Sequence, residues 1–195
     1  MDIALHAPVI GLDGELGRVE NVIVNVVAGR ITTLVVRAAE SPNAERLVPE
    51  KFVESAEKGQ VVLRLSKKDF HKLKPFIQED YLPPNMFMHM AQEEHETLPL
   101  APASWTVERE AIPDGAVALR RHAAVMATDG KAGKVDEYLV ERRTGRITHL
   151  VMVEGHLWGK RTIEIPVSLV DRYEDNAVHL SIDKKTVELL PVVTG

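Results

Sequence analysis

The chain repeats itself. Asp13-Gly14-Glu15-Leu16-Gly17-Arg18-Val19 returns 116 residues later as Asp129-Gly130-Lys131-Ala132-Gly133-Lys134-Val135. At the same offset, Gly29-Arg30-Ile31-Thr32-Thr33-Leu34-Val35 is answered by Gly145-Arg146-Ile147-Thr148-His149-Leu150-Val151. Residues 9–37 and 125–153 align without a gap, with 12 identities in 29 columns, where chance gives roughly two. Further on the offset grows by one residue: Pro49 and Pro166 differ by 117, as do the Lys67-Lys68 and Lys184-Lys185 pairs. The chain is a tandem duplication, two copies of one supersecondary unit.

Each copy reads as β-structure. Asp-Gly at 13–14 and 129–130 is a hairpin signal, because a type I′ turn needs positive φ and glycine supplies it without a Cβ clash. Leu16 to Val27 reads as a strand with Val22, Val24 and Val26 on one face, a face that Tyr138 and Val140 continue in the second copy. Reversals at Gly29 and Gly145 precede the β-rich runs Ile31–Val36 and Ile147–Val153. A further strand leads to each proline, Pro49 and Pro166, and a last one alternates through Val61, Leu63 and Leu65, or Val178, Leu180 and Ile182. Ser66 and Asp183 are suited to cap short terminal helices over 67–74 and 184–190. Short strands at this spacing predict an all-β chain of two small barrels in tandem, each ending in a short helix.

This order of motifs resembles the PRC-barrel domain, found in the cytoplasmic part of the photosynthetic reaction-centre H subunit and in the C-terminal half of a ribosome-maturation factor. The resemblance covers about 1–80 and 116–193. The second copy, through Glu154-Gly155-His156-Leu157-Trp158-Gly159 and Ile165-Pro166-Val167, is most similar to bacterial two-copy members. The matching residues shape turns and core, so they speak to fold more than to function. The resemblance implies a non-catalytic, protein-binding adaptor or assembly module, and it brings no catalytic residues with it. The alternatives it suggests are a ribosome- or RNA-associated maturation factor and a peripheral module docking on a membrane complex. Nothing here matches the H subunit's membrane anchor or the maturation factor's N-terminal barrel.

The division expected is a first barrel-like domain over 1–80, a linker over 81–113 and a second domain over 114–195. Each copy carries a full set of turns, which predicts that each folds alone. Residues 76–113 hold five of the eleven prolines and seven acids against a single base, Arg109. Elsewhere acids and bases nearly balance, so the net charge of -5 belongs to this connector. Such composition suits an extended, non-helical linker, while Tyr81, Met86, Phe87, Met88, Met90 and Trp105 predict that it is partly laid onto the barrels. Unpaired strand edges leave a homodimer open, as they do pairing of the two copies with each other.

Composition narrows the chemistry. There is no cysteine, hence no disulfide, thiolate nucleophile or Cys-ligated zinc. No run approaches the ~18 apolar residues of a membrane span, and Met1–His6 lacks the order of a signal peptide, so the expected location is cytoplasmic. Net acidity argues against sequence-specific nucleic-acid binding. Met86, Met88, Met90 and His89 are better read as packing than as a soft-metal site, and His89 and His95 match no metal-ligand spacing. No nucleophile elbow, phosphate loop or paired carboxylate constellation is present, so no enzyme, cofactor or metal is expected. Arg120-Arg121, Arg142-Arg143 and Lys160-Arg161 read as exposed strand and loop residues, and Arg30 and Arg146 as charges flanking hairpins. The candidate partner-binding residues are His156, Leu157 and Trp158, bracketed by Gly155 and Gly159 where the copies diverge most.

Overall fold

The computed structural model describes residues 1–40, 44–57, 59–82, 105–154, 161–174 and 176–192. The first half comprises β1 (Asp2–Ala4), β2 (Pro8–Gly11), β3 (Gly14–Asn25), β4 (Arg30–Ala38), β5 (Glu45–Pro49), β6 (Val53–Glu57), β7 (Gln60–Leu63) and α1 (Lys67–His71). A ribbon of β8 (Ile77–Leu82) and β9 (Trp105–Glu110) follows. The second half comprises β10 (Ala116–Arg120), β11 (Ala124–Ala127), β12 (Gly130–Val140), β13 (Ile147–Glu154), β14 (Arg161–Pro166), β15 (Val170–Glu174), β16 (Ala177–Leu180) and α2 (Lys184–Val187). The chain is all-β, with short helices. Each half forms a sheet in one order, β5-β4-β3-β2-β7-β6 or β14-β13-β12-β11-β16-β15.

The repeat extends to the irregularities. Register shifts at Val9/Ile10, Val19/Asn21, Ile23/Val24 and Val53/Ser55 recur at Val125/Met126, Val135/Glu137, Leu139/Val140 and Val170/Arg172. A bulge turns the strand locally, so copying the bulges copies the curvature of the sheet. The two end strands of each order are not paired with each other among the described residues. Pro49 and Pro166 stop the ladder at the 3-10 turns Glu50–Phe52 and Val167–Leu169, which join those ends. The closed barrels expected from the strand spacing are therefore seen as curved sheets bridged by a turn.

The Asp-Gly hairpins differ from type I′ geometry. Gly14 and Gly130 both have φ 127, but Asp13 and Asp129 are not among the positive-φ residues. Their carboxylates are used elsewhere: Asp13 Oδ1 accepts the Lys67 backbone N–H at 2.8 Å, and Asp129 Oδ1 that of Lys184 at 2.9 Å. Each turn thus ties down the start of its half's terminal helix. Ser66 and Asp183 cap those helices as expected, accepting from the Asp69 and Thr186 N–H groups. Both helices end early, at His71 and Val187.

The halves are interlocked by exchanged strands. The β3 edge that pairs β2 over Gly14–Arg18 is continued over Asn21–Asn25 by β10, from the second half. Reciprocally, β12 pairs β11 over Gly130–Lys134 and β1 over Glu137–Leu139. In repeat numbering, Asp2–Ala4 corresponds to Ala118–Arg120. So β10 occupies on β3 the place that β1 would take in an isolated copy, and β1 takes that place on β12. The crossing is made at matched turns: His6 has φ 77 and donates its N–H to Val19 O at 2.6 Å, while His122 has φ 64 and donates to Val135 O at 3.2 Å.

Exchange makes the core common property. One cluster of buried residues includes Ile3, Val22, Val24, Ile31 and Leu34 from the first half with Leu119, Tyr138, Ile147 and Leu150 from the second. Burial of Ile3 alone, at 0% exposure, is worth about 2 kcal/mol to the joined form. At the pseudo-two-fold axis Ile31 donates its N–H to Gly145 O at 3.1 Å, and Ile147 donates to Gly29 O at 3.0 Å. The two copies pair with each other. An isolated copy would have to fold its own β1 back onto β3, or its own β10 onto β12, and would expose the part of this core that the halves share.

The connector is anchored at its described ends. Phe76, buried to 1%, packs with Ile23, Val35 and Ala118, and Ile112 and Leu47 pack against them. This covers the face of β3 and β4 that carries Ile23 and Val35, while Met86, Phe87, Met88 and Met90, expected to lay the connector onto the barrels, lie outside the described residues. The ribbon at Ile77–Leu82 and Trp105–Glu110 gives the connector regular structure at both ends.

Candidate functional site

The residues singled out for partner binding, His156, Leu157 and Trp158, lie outside the described residues, as do Met86, Met88, Met90, His89, His95 and Lys160. The basic doublets are engaged in part. Arg120 forms an ion pair with Glu110, tying β10 to the ribbon. Arg142 donates to the Glu54 carbonyl oxygen at 3.1 Å, and Arg161 to that of Glu188 at 3.4 Å. Arg30 and Arg146, far apart in sequence, meet in an isolated antiparallel bridge on the axis.

Around that axis lies an open groove of about 500 Å³, lined by residues of both halves. Arg30 enters it from the start of β4, Glu50 and Lys51 from the 3-10 turn after Pro49, Glu54 from β6, Arg64 from just past β7, and Arg142 from the turn after β12. Arg30 is held by Glu50, with Nη2 2.8 Å from Oε2. The Glu50 side chain also lies over Gly145, so the first half's turn is seated on the second half's reversal. Lys51 Nζ stands 5.1 Å from the centroid of the Phe52 ring, a cation–π contact. Among the described residues, no carboxylate is within ion-pair distance of Lys51, Arg64 or Arg142.

A duplication provides an internal comparison. The positions of Arg30, Thr32, Pro49 and Val53 are occupied in the second half by Arg146, Thr148, Pro166 and Val170. Those of Glu50, Lys51, Arg64 and Arg142 are occupied by Val167, Ser168, Ser181 and Val26. The frame is retained, with one cation (Arg30, Arg146) and one acid (Glu54, Asp171) in both places, while the charges of Glu50, Lys51, Arg64 and Arg142 have no counterpart. A second concavity of about 320 Å³, near β3, holds Arg37, but that guanidinium is 3.3 Å from both Glu20 and Glu45 and so is already neutralised.

Other titrating groups are shifted for structural reasons. Burial, with the neighbouring Tyr173, pushes the Tyr138 hydroxyl well above its ordinary range, and its oxygen has no hydrogen-bond partner. Burial raises Tyr173 to about 12. Burial, then the carboxylates of Asp2, Asp136 and Glu164, raises Glu137. Hydrogen bonds from Arg172 and His179 lower Glu174 on the outside of β15. None of these groups adjoins the groove, and no group of three or more candidate metal ligands occurs among the described residues. No helix among the described residues is long and apolar enough to cross a membrane.

The sequence reading passed over the groove because its cations come from separate loops of both halves and form no motif. The available signal was the repeat: comparing the copies position by position singles out Lys51, Arg64 and Arg142 as charges with no counterpart in the other copy. Comparison with protein-family models finds none that matches the chain, and comparison with curated proteins finds no match.

Proposed function

We propose that this chain is a cytoplasmic, non-catalytic adaptor that binds a protein partner, built on two PRC-barrel-like copies. The observation that carries the reading is the groove: a charged surface of the first half completed by Arg142 of the second, on a scaffold whose equivalent place lacks the charges of Glu50, Lys51, Arg64 and Arg142. Surface charge that departs from a retained frame fits recognition better than stability, because exposed cations contribute little to folding. β1 of the first half pairs β12, whose following turn carries Arg142, so the second half's contribution is held in place, which limits the ordering cost of binding.

Cross-linking followed by pull-down of the full chain from its native cells tests this reading. A discrete protein partner that survives a salt wash is the expected result. Recovery of RNA or ribosomes alone, lost steeply as salt rises, would replace the adaptor with the maturation-factor reading.

A further inference from the structure

The adaptor reading leaves open what the groove recognises, and the inference that follows rests on that reading. We propose that the groove binds an acidic segment of the partner protein, whose carboxylates sit between Lys51, Arg64 and Arg142. Three features favour this occupant. First, these cations have no ion-pair partner among the described residues, and Arg142 spends a donor on a neutral carbonyl. A carboxylate offers Arg64 and Arg142 the planar, two-pronged acceptor that suits a guanidinium.

Second, Arg30 is already held by Glu50, so the groove carries a preset cation–carboxylate pair at one wall. Glu54 adds a second carboxylate. A continuous polyphosphate backbone would have to pass both of these, whereas a peptide places its carboxylates at intervals. Third, the surroundings oppose a nucleic acid. Among the described residues, the aromatic ring beside the groove, Phe52, is in contact with Lys51 and so is not a free platform on which bases would stack.

Specificity follows from the duplication. The equivalent place presents Ser168 and Ser181 from the second half and Val26 from the first at the positions of Lys51, Arg64 and Arg142, so one acidic segment binds per chain. Those same residues define the least disruptive removal of the site, since the fold already accommodates them at equivalent places. Arg64 is exposed, which makes Arg64→Glu a second, independent variant.

The experiment is fluorescence anisotropy on the full chain with a short labelled oligoglutamate peptide at low salt, with labelled oligouridylate RNA of the same length as the rival probe. The expected result is salt-sensitive binding of oligoglutamate, in preference to oligouridylate, with one peptide per chain. The triple variant Lys51→Ser, Arg64→Ser, Arg142→Val and the single variant Arg64→Glu should each weaken it by about tenfold or more, with melting temperature unchanged. No binding, equal binding by wild type and both variants, or preference for the RNA would each overturn the proposal. A partner recovered equally well by wild type and triple variant would leave the adaptor reading standing and remove the groove as its site.

Discussion

The Glu50 carboxylate occupies the space that a side chain on Gly145 would need: a Cβ there would overlap Glu50 Oε1. The equivalent glycine, Gly29, has open space at the same place. Both are in the left-handed region, with φ 59 at Gly29 and φ 68 at Gly145. Gly29→Ala should therefore cost the backbone strain alone, about 1–2 kcal/mol. Gly145→Ala should cost that strain and also displace Glu50 from Arg30, adding roughly 0.5–1 kcal/mol. Denaturant titration of the two variants reads the difference. Equal losses would mean that Glu50 moves aside freely and does not hold the turn to the second half.

The tie from each Asp-Gly turn to its helix is repeated nearly to the ångström. Asp13→Ala and Asp129→Ala should each destabilise by about 1 kcal/mol, the usual value of a helix-start hydrogen bond of this kind. The two losses should be similar, because the bonds to Lys67 and Lys184 are alike. Thermal melts check this. A negligible loss for both would show that the turn and helix are held by packing alone.

Glu137 sets a pH dependence. Burial and the carboxylates of Asp2, Asp136 and Glu164 raise its folded pKa above the unfolded one. The folded state therefore binds its proton more tightly, and the associated stability is complete below the unfolded pKa and lost as pH rises through the raised value. Glu137→Gln removes that loss. The variant should melt higher than wild type at neutral pH, and the gap should close as pH falls below about 4. A variant that is less stable than wild type at neutral pH would contradict the direction of the shift.

Much of the first-order fold is written in local residues. Val22 and Val24 are fully buried, as are Val61, Leu63, Val178 and Tyr138, where alternation placed them. Val26 was expected on the same face, but β3 ends at Asn25 and Val26 is 37% exposed. The strands ending in Pro49 and Pro166 stand as read. The exchange of β1 and β10 was not legible, because a strand of three or five residues carries almost no periodicity and its partner lies in the other copy. A trace of it was present. Ile3, His6 and Ala7 recur as Leu119, His122 and Ala123 at the offset of 116, so the repeat begins upstream of Val9. The groove was less legible still, since its side chains converge only after the halves interlock.

Separated halves give a direct consequence of the shared core. Fragments 1–80 and 114–195 each carry the strand that completes the other, β1 and β10 respectively. Alone, each should lack a cooperative melt at the full chain's temperature. Mixed in equal amounts, they should recover one transition and the circular dichroism of the intact protein. Two fragments that melt cooperatively alone and ignore each other would speak for independent copies.

Disulfide trapping tests the strand exchange most directly, and the absence of native cysteine makes it clean. Ala4 faces Glu137 across β1 and β12, and Arg120 faces Asn21 across β10 and β3. In unexchanged copies the partners would be interchanged, Ala4 with Asn21 and Arg120 with Glu137. Directly opposed residues on antiparallel strands lie within the Cα separation a disulfide tolerates, about 4.4–6.8 Å. Under mild oxidation the double variant Ala4→Cys, Glu137→Cys should form a bond within a single chain, as should Asn21→Cys, Arg120→Cys, each mapped by peptide mass. Efficient bonding in Ala4→Cys, Asn21→Cys and in Arg120→Cys, Glu137→Cys, with none in the first two variants, would contradict the exchange.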